Sequence, residues 1–341
     1  MSKIRYDFLH NEYVIIAPER LHRPNVSLLK KREKIETVAK CPFCKGNEAL
    51  TGQEIFAIYK NPADKSSWQV RVIPNLYKAV QIETEFKMQR EGFFESINGY
   101  GAHEIIIDTP CHNCTLADLE IEDIENWLKT IAFRKADLTK DKQMKYFIAF
   151  KNSGKRAGAS QEHPHTQIIA LPVVPKSKID FLQRNSEYYR KFGHGILEDI
   201  IYNEKTEKVR VVKELGNFMA FCPYASAFAF EVMIAPLQNF FDLNDCSNKD
   251  LSDLALLVSD TFKALYRELG DFDFNISFEF APINSNFEEK AYMQDLRDNY
   301  RFYIRIIPRI FTLAGFEVAT NMAINPIMPK ECAQFLRGDG K

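Results

Sequence analysis

The chain has little histidine, and none of it in its last third: seven in 341 residues, with none beyond His194. Imidazole chemistry is therefore expected in the first half, which holds six of the seven. No apolar run approaches the roughly 20 residues a spanning helix needs, and Met1-Ser2-Lys3-Ile4-Arg5-Tyr6-Asp7 has no signal-peptide apolar core. A cytoplasmic protein without a membrane partner is expected. Charge is almost balanced, 45 Lys and Arg against 46 Asp and Glu. That removes the electrostatic case for a nucleic-acid partner. The cluster Lys30-Lys31-Arg32-Glu33-Lys34 is short and mixed in sign, and reads as solvated surface. No Gly/Ser-rich or Pro-rich linker separates two autonomous domains. The seven cysteines, an odd number without a signal sequence, argue against a disulfide framework and favour metal ligation or buried thiols.

What is present reads as one pattern repeated after about 130 residues. In the first round a strand at His103-Glu104-Ile105-Ile106-Ile107-Asp108 ends in Thr109-Pro110. A helix follows from about Leu116 to Leu138, with Leu119, Ile121, Ile124, Trp127, Leu128 and Ile131 near helical spacing. Strands at Tyr146-Phe147-Ile148-Ala149-Phe150 and after His165 complete it. In the second round a strand at Phe230-Glu231-Val232-Met233-Ile234 ends in Ala235-Pro236. A helix from about Asp250 to Leu269 and strands at Phe274-Asn275-Ile276-Ser277-Phe278 and Phe302 to Pro308 follow. The expected class is α+β, a duplicated unit whose two sheets share a core, divided at 1–175 and 176–341. A charged helical connector is expected from Pro175 to about Asn203. Aligning Gln167-Ile168-Ile169 with Arg305-Ile306-Ile307 sets Tyr303 and Arg305 where the first half has His165 and Gln167.

The densest chemistry lies in Gly158-Ala159-Ser160-Gln161-Glu162-His163-Pro164-His165-Thr166-Gln167. In an extended chain, residues two apart share a face, so His165 and Gln167 project together with His163 at the strand entrance. The small-residue loop upstream lets backbone N–H groups approach an anion. A nucleophilic imidazole, an amide donor and an anion loop suggest phosphoryl or nucleotidyl transfer through a covalent histidine. Against this stand a structural histidine and a metal pair.

Cys41-Pro42-Phe43-Cys44 is a knuckle that lets two thiolates reach one zinc ion, and Gly46 suits the tight turn after it. A thioredoxin-like redox pair is disfavoured, because that motif opens a helix after a strand. The remaining ligands stay open at this point. Cys111-His112-Asn113-Cys114 could complete a four-thiolate ribbon, His112 and His163 could complete a mixed site, or Cys111 and Cys114 could be plain half-buried thiols.

These residues carry a resemblance. Ala17-Pro18-Glu19-Arg20, Arg23-Pro24, the Cys-Pro-Phe-Cys knuckle and Ile73-Pro74-Asn75 occur in order. They are followed by Phe150-Lys151-Asn152, Gly158-Ala159-Ser160, the His-Pro-His-Thr-Gln stretch, Phe230-Glu231, Gly315-Phe316-Glu317 and Ile324-Asn325-Pro326. The chain resembles the galactose-1-phosphate uridylyltransferase family of the histidine-triad superfamily over nearly its whole length, and is similar to its ADP-glucose phosphorylase branch. The resemblance implies histidine-triad-like units with an antiparallel half-barrel sheet and packed helices. It implies a structural zinc on Cys41, Cys44, His112 and His163, with His165 as nucleophile and Gln167 holding the nucleotidylated phosphate. Asn152, Gly158 and Ser160 would belong to the phosphate loop, Asn75 would lie near the ribose, and Arg23 in a phosphate-contacting segment. A homodimer is implied as well. Histidines of a second metal site found in many bacterial members are missing here, which weakens galactose as the substrate.

The implied reaction is double displacement, from a nucleotide sugar to a sugar 1-phosphate or orthophosphate. The expected functions are hexose-1-phosphate uridylyltransferase, an ADP-sugar or dinucleotide phosphorylase, or, from another class, a zinc-ribbon binding module without catalysis.

Overall fold

In the computed structural model the described residues are 1–22, 40–284, 293 and 295–340. Arg23 and the Lys30-to-Lys34 cluster lie outside them. In chain order the strands are β1 (Lys3–Asp7), β2 (Glu12–Ile16), β3 (Phe56–Tyr59), β4 (Trp68–Pro74), β5 (Met88–Glu91), β6 (Phe94–Ile97), β7 (Ala102–Ile107), β8 (Tyr146–Ser153) and β9 (His165–Leu171). They continue as β10 (Val211–Leu215), β11 (Phe218–Phe221), β12 (Val232–Pro236), β13 (Phe274–Glu279), β14 (Tyr303–Pro308) and β15 (Ala323–Asn325). The helices are α1 (Ile121–Leu138), α2 (Lys176–Phe192), α3 (Ile196–Glu207), α4 (Asn248–Leu269), α5 (Leu296–Asn299), α6 (Gly315–Thr320) and α7 (Pro329–Arg337).

The two expected sheets are one. Ten antiparallel strands run β10-β11-β12-β14-β13-β8-β9-β7-β4-β3. Read outward from the β8–β13 seam, both halves have the same order of corresponding strands. The register agrees: Gln167 lies opposite Ile105 on β7 and Phe150 on β8, and Arg305 opposite Met233 on β12 and Ser277 on β13. At the seam Phe150 pairs with Ser277. Tyr303 and Arg305 therefore occupy the positions of His165 and Gln167.

Alternation decides the faces. Val70, Val72, Ile106, Phe147, Ala149 and Ile168 from one half, and Ile234, Ile276, Phe278, Ile304 and Ile306 from the other, form one core with the apolar sides of α1 and α4. Each large aliphatic or aromatic group buried there contributes about 1.5–3 kcal/mol. α4 starts at a capping box, Ser247 with Asp250, which satisfies two N–H groups of its first turn. α1 begins at Ile121, not near Leu116, because Thr115 and Asp118 first close a turn through Thr115 N–H donating to the Asp118 carboxylate. The expected strand start at Phe230 also moves, to Val232. Phe230 has φ of +58°, and Glu231 N–H closes a turn onto Phe228 O.

The opposite sheet face is treated differently in each half. Over the second half, α3 lays Leu197 and Ile201 on Met233, Ala235 and Tyr303. The connector is helical as expected, formed by α2 and α3. Over the first half, among the described residues, the knuckle segment packs down, with Cys41, Phe43 and Cys44 against Ile73, Ile105 and Ile107. The described helices include none long and apolar enough to cross a membrane.

Candidate active site and metal centre

The knuckle folds locally as its sequence suggests. Cys44 N–H donates to Cys41 O at 3.3 Å, Asn47 Nδ2 to Cys41 O at 2.8 Å, and Gly46 takes φ of +91°. Glu48 accepts from Gly46 N–H and from Trp68 Nε1, tying the turn to β4. The two thiols meet two imidazoles. Cys44 Sγ is 3.2 Å from His112 Nδ1 and 3.6 Å from His163 Nδ1, Cys41 Sγ is 3.7 Å from His163 Nδ1, and the two Nδ1 atoms are 3.3 Å apart. Four ligands around a tetrahedral ion, with bonds of about 2.3 Å to sulfur and about 2.0 Å to nitrogen, would stand about 3.3–3.8 Å from one another. His163 Nε2 faces Thr109 O at 2.8 Å, so it carries the ring hydrogen and leaves the Nδ1 lone pair toward the thiols. Burial, together with the nearby His112, pushes His163 down to about 4 despite that hydrogen bond, which keeps the ring neutral. The cluster Cys41, Cys44, His112 and His163 can hold a metal ion.

The all-thiolate ribbon is overturned. Cys111 and Cys114 are bonded to each other and flank His112 instead of turning into the cluster. With the ribbon goes the non-catalytic zinc-ribbon module. They are not free thiols either, and the local bridge is a disulfide the cysteine count did not anticipate. Cys41, Cys44, Cys222, Cys246 and Cys332 remain free.

Two residues past His163, His165 opens β9. It is buried, and its Nδ1 is 2.9 Å from His163 O. A carbonyl only accepts, so Nδ1 carries the hydrogen and the Nε2 lone pair is available. Burial first, then the Lys151 ammonium, lower its pKa and favour the neutral ring. Phe43 of the knuckle packs against this ring at 5.6 Å between centroids. Behind the strand, Lys151 Nζ pairs with Asp108 at 2.6 Å and reaches His165 O at 3.2 Å.

Gln167 shares the face of His165, half-buried, with its Oε1 3.0 Å from His103 Nε2. Asn75, after β4, lies at the same imidazole with Nδ2 3.0 Å from Nε2. Asn152 sits at the seam. Its Oδ1 accepts from Asn275 Nδ2 at 2.8 Å, and the same nitrogen donates to Ala157 O at 2.9 Å. The second half thus clamps both Asn152 and the loop leading to His163. That loop bends through Gly154 and Gly158, at φ of +85° and +81°. A Cβ on Gly154 would fall 1.8 Å from an Asp273 carboxylate oxygen. Ser160 stands exposed beyond the bend.

His103, Asn275, Lys151 with Asp108, and Phe43 were not singled out from the sequence. His103 had a signal: it is two residues before Ile105 on a strand of period two, on the face that carries Gln167. In the second half, Arg305 forms a two-nitrogen ion pair to Glu231, at 2.6 and 3.0 Å.

Known proteins bear on this arrangement. The sequence profile described as galactose-1-phosphate uridyl transferase, N-terminal domain, matches residues 1–175. ADP-glucose phosphorylase of Arabidopsis thaliana is 29% identical over 98% of this chain and 92% of its own length. Galactose-1-phosphate uridylyltransferase of Thermotoga maritima is 27% identical over 99% of this chain and 98% of its own. The crystal structure of the Arabidopsis phosphorylase with bound ADP-glucose superposes with a TM-score of 0.81 at 26% identity, covering 99% of both chains. The fold, the histidine strand and these relatives define an enzyme that transfers nucleotidyl groups. More particularly, the chain belongs to the galactose-1-phosphate uridyl transferase family.

Proposed function

We propose that the protein moves a nucleoside monophosphate between phosphate acceptors through a covalent bond to His165, first of all as a hexose-1-phosphate uridylyltransferase acting on UDP-glucose and galactose 1-phosphate. The observation that carries this is the His165 Nδ1 contact to the His163 carbonyl, which leaves the Nε2 lone pair free. That lone pair attacks the α-phosphorus. The bond from this phosphorus to the bridging oxygen breaks, and the electron pair leaves with the sugar 1-phosphate. An oxygen of a second sugar 1-phosphate then attacks the same phosphorus, and the P–N bond returns its electrons to Nε2. Imidazole suits both steps, being nucleophilic when neutral and a good leaving group once phosphorylated.

Gln167 and the loop around Gly158 and Ser160 donate to the non-bridging oxygens as charge builds there. Asn152, with its oxygen engaged by Asn275, presents its NH2 group to phosphate. Asn75 would lie at the ribose, and Arg23 would contact the phosphates. Zinc on Cys41, Cys44, His112 and His163 would supply a structural cross-link, since four protein ligands leave no place for water.

The division at 1–175 and 176–341 is part of this proposal: chemistry in the first unit, support from the second. So is a cytoplasmic homodimer, for which the exposed Met88, Phe93 and Phe94 of the β5–β6 hairpin, and Leu76 and Tyr77 after β4, offer apolar surface. Light scattering on the eluting protein tests the dimer.

A second reading is an ADP-glucose phosphorylase, with orthophosphate as acceptor. The 29% identity and the TM-score of 0.81 to the Arabidopsis phosphorylase favour it. Isotope exchange decides between the two. Labelled glucose 1-phosphate should enter UDP-glucose with no second acceptor present. Exchange into ADP-glucose instead gives the second reading, and exchange that requires both substrates rules out the covalent route.

A further inference from the structure

We propose that His103 is a positioning residue that sets the amide of Gln167 so that its NH2 group, not its oxygen, faces the transferred phosphoryl group. This rests on the reading of His165 as the nucleophile and goes beyond it. Gln167 can serve a phosphate only as a donor, yet a glutamine amide has two ends of almost the same shape. Something must choose between them.

The choice runs through one imidazole. Ala79 N–H donates to His103 Nδ1 at 3.0 Å. A backbone N–H only donates, so Nδ1 holds a lone pair, and in the neutral ring the hydrogen sits on Nε2. Nε2 lies 3.0 Å from Gln167 Oε1. The hydrogen therefore goes to that oxygen. With the Gln167 amide reversed, the ring hydrogen would have no acceptor at all, because Asn75 also turns its NH2 group toward Nε2, and a buried donor without a partner is costly. With its oxygen held, Gln167 keeps both amide hydrogens for a ligand, and they have no partner among the described residues.

Asn75 does not compete for the ring hydrogen. Its Oδ1 accepts Tyr77 N–H at 2.9 Å, so the Nδ2 it sets 3.0 Å from Nε2 is a donor that cannot take the ring hydrogen; that contact is not a hydrogen bond, and Gln167 Oε1 is the acceptor in reach. Asn75 N–H in turn donates to His103 O at 3.0 Å, and this tethers the segment that presents Ala79. The chain of command runs from a turn backbone, through His103, to the side chain beside the nucleophile.

The second half shows the same two positions joined for another purpose. Glu231 stands where His103 does, and Arg305 where Gln167 does, and they form an ion pair. The strand geometry brings these positions into contact in both halves. In the first half the contact joins two neutral groups and keeps both Gln167 amide hydrogens for a ligand; in the second it neutralises a buried cation with a carboxylate.

The test measures the rate at which nucleotide is loaded onto His165 and the steady-state kcat and KM. His103→Leu should slow loading about tenfold to a hundredfold, with KM moving far less. His103→Gln, which can present an NH2 group near the place of Nε2, should recover most of the rate. In a Gln167→Ala background both substitutions should have almost no further effect, because the amide they orient is gone. An equal loss in both backgrounds would overturn the role of His103, as would an unchanged rate in His103→Leu. Nitrogen NMR of histidine-labelled wild-type protein checks the same point without any variant: His103 should carry its hydrogen on Nε2, and a hydrogen on Nδ1 would overturn the proposal. Wild-type protein that never loads nucleotide would instead sink the reading of His165 and leave the tautomer result standing.

Discussion

The two halves share a strand order and a register, yet one pair of positions holds His165 and Gln167 and its counterpart holds Tyr303 and Arg305. What surrounds each pair explains why only one of them is suited to chemistry. In the second half, α3 covers the sheet face, Tyr303 is buried beneath Leu197 and Ile201, and Arg305 is spent on Glu231. Burial works against the Arg305 charge, but Glu231 and Glu279 outweigh it and raise its pKa. In the first half, among the described residues, the Cys41–Cys44 knuckle packs on the face in place of a helix, and the face keeps a neutral imidazole, an amide and a glycine bend. The second half contributes by holding the first: Asn275 reaches across the seam to Asn152 and to the loop carbonyl of Ala157. Duplication with specialisation means that equivalent positions should fail differently when altered.

The largest contrast is at the paired positions themselves. His165→Ala should cut turnover by about four orders of magnitude or more while the melting temperature stays close to wild type; Tyr303→Phe, assayed beside it, should leave turnover nearly intact. Next comes the metal. Cys41→Ser, or a strong chelator, should remove one bound ion per chain and up to about 10 kcal/mol of local stability. Elemental analysis with thermal melting reads both. The second half should show no such dependence, and a second equivalent of metal would break the contrast.

Arg305→Ala should act on stability alone. It strands the buried Glu231 carboxylate, a loss of about 3–5 kcal/mol, with sugar 1-phosphate affinity unchanged. Weakened affinity with unchanged stability would make Arg305 a ligand group. The smallest effect concerns Glu279. Burial would raise its pKa, but the Lys178 ammonium and then Arg305 outweigh it and hold the carboxyl at about 2. Its folded value lies below its unfolded one, so it adds stability above about pH 4.5, which is lost as pH falls toward 2. That amounts to at most about 3 kcal/mol. Glu279→Gln should flatten this part of the acid unfolding curve, and an unaltered slope would show that the pair is solvated.

How much of this could be read from the sequence follows from the range of each signal. Alternation in β9 and the apolar stripes of α1 and α4 are local, so the strand of His165 and Gln167 and both long helices were legible. The correspondence of Gln167 with Arg305 was legible too, because two short strands share an Arg/Gln-Ile-Ile pattern. The joining of both halves into one sheet was not, since the pairing of Phe150 with Ser277 spans more than a hundred residues and leaves no local mark. Turn chemistry moved the boundaries at Ile121 and Val232. The knuckle was plain, but spacing alone could not choose between His112 with His163 and Cys111 with Cys114. The choice depends on which side chains turn inward from a loop. The link from His103 to Gln167 was hidden for a related reason. It depends on Ala79 offering a backbone N–H, which a sequence does not display.

The contrast between the halves is tested most directly by mass spectrometry of the intact protein after incubation with UDP-glucose or ADP-glucose, followed by mapping of the modified residue. One nucleoside monophosphate should be added per chain, on His165, as uridylyl in the first reading or adenylyl in the second. A nucleotide found on any residue of the second half, or none on either half while turnover proceeds, would contradict the assignment of the chemistry to His165.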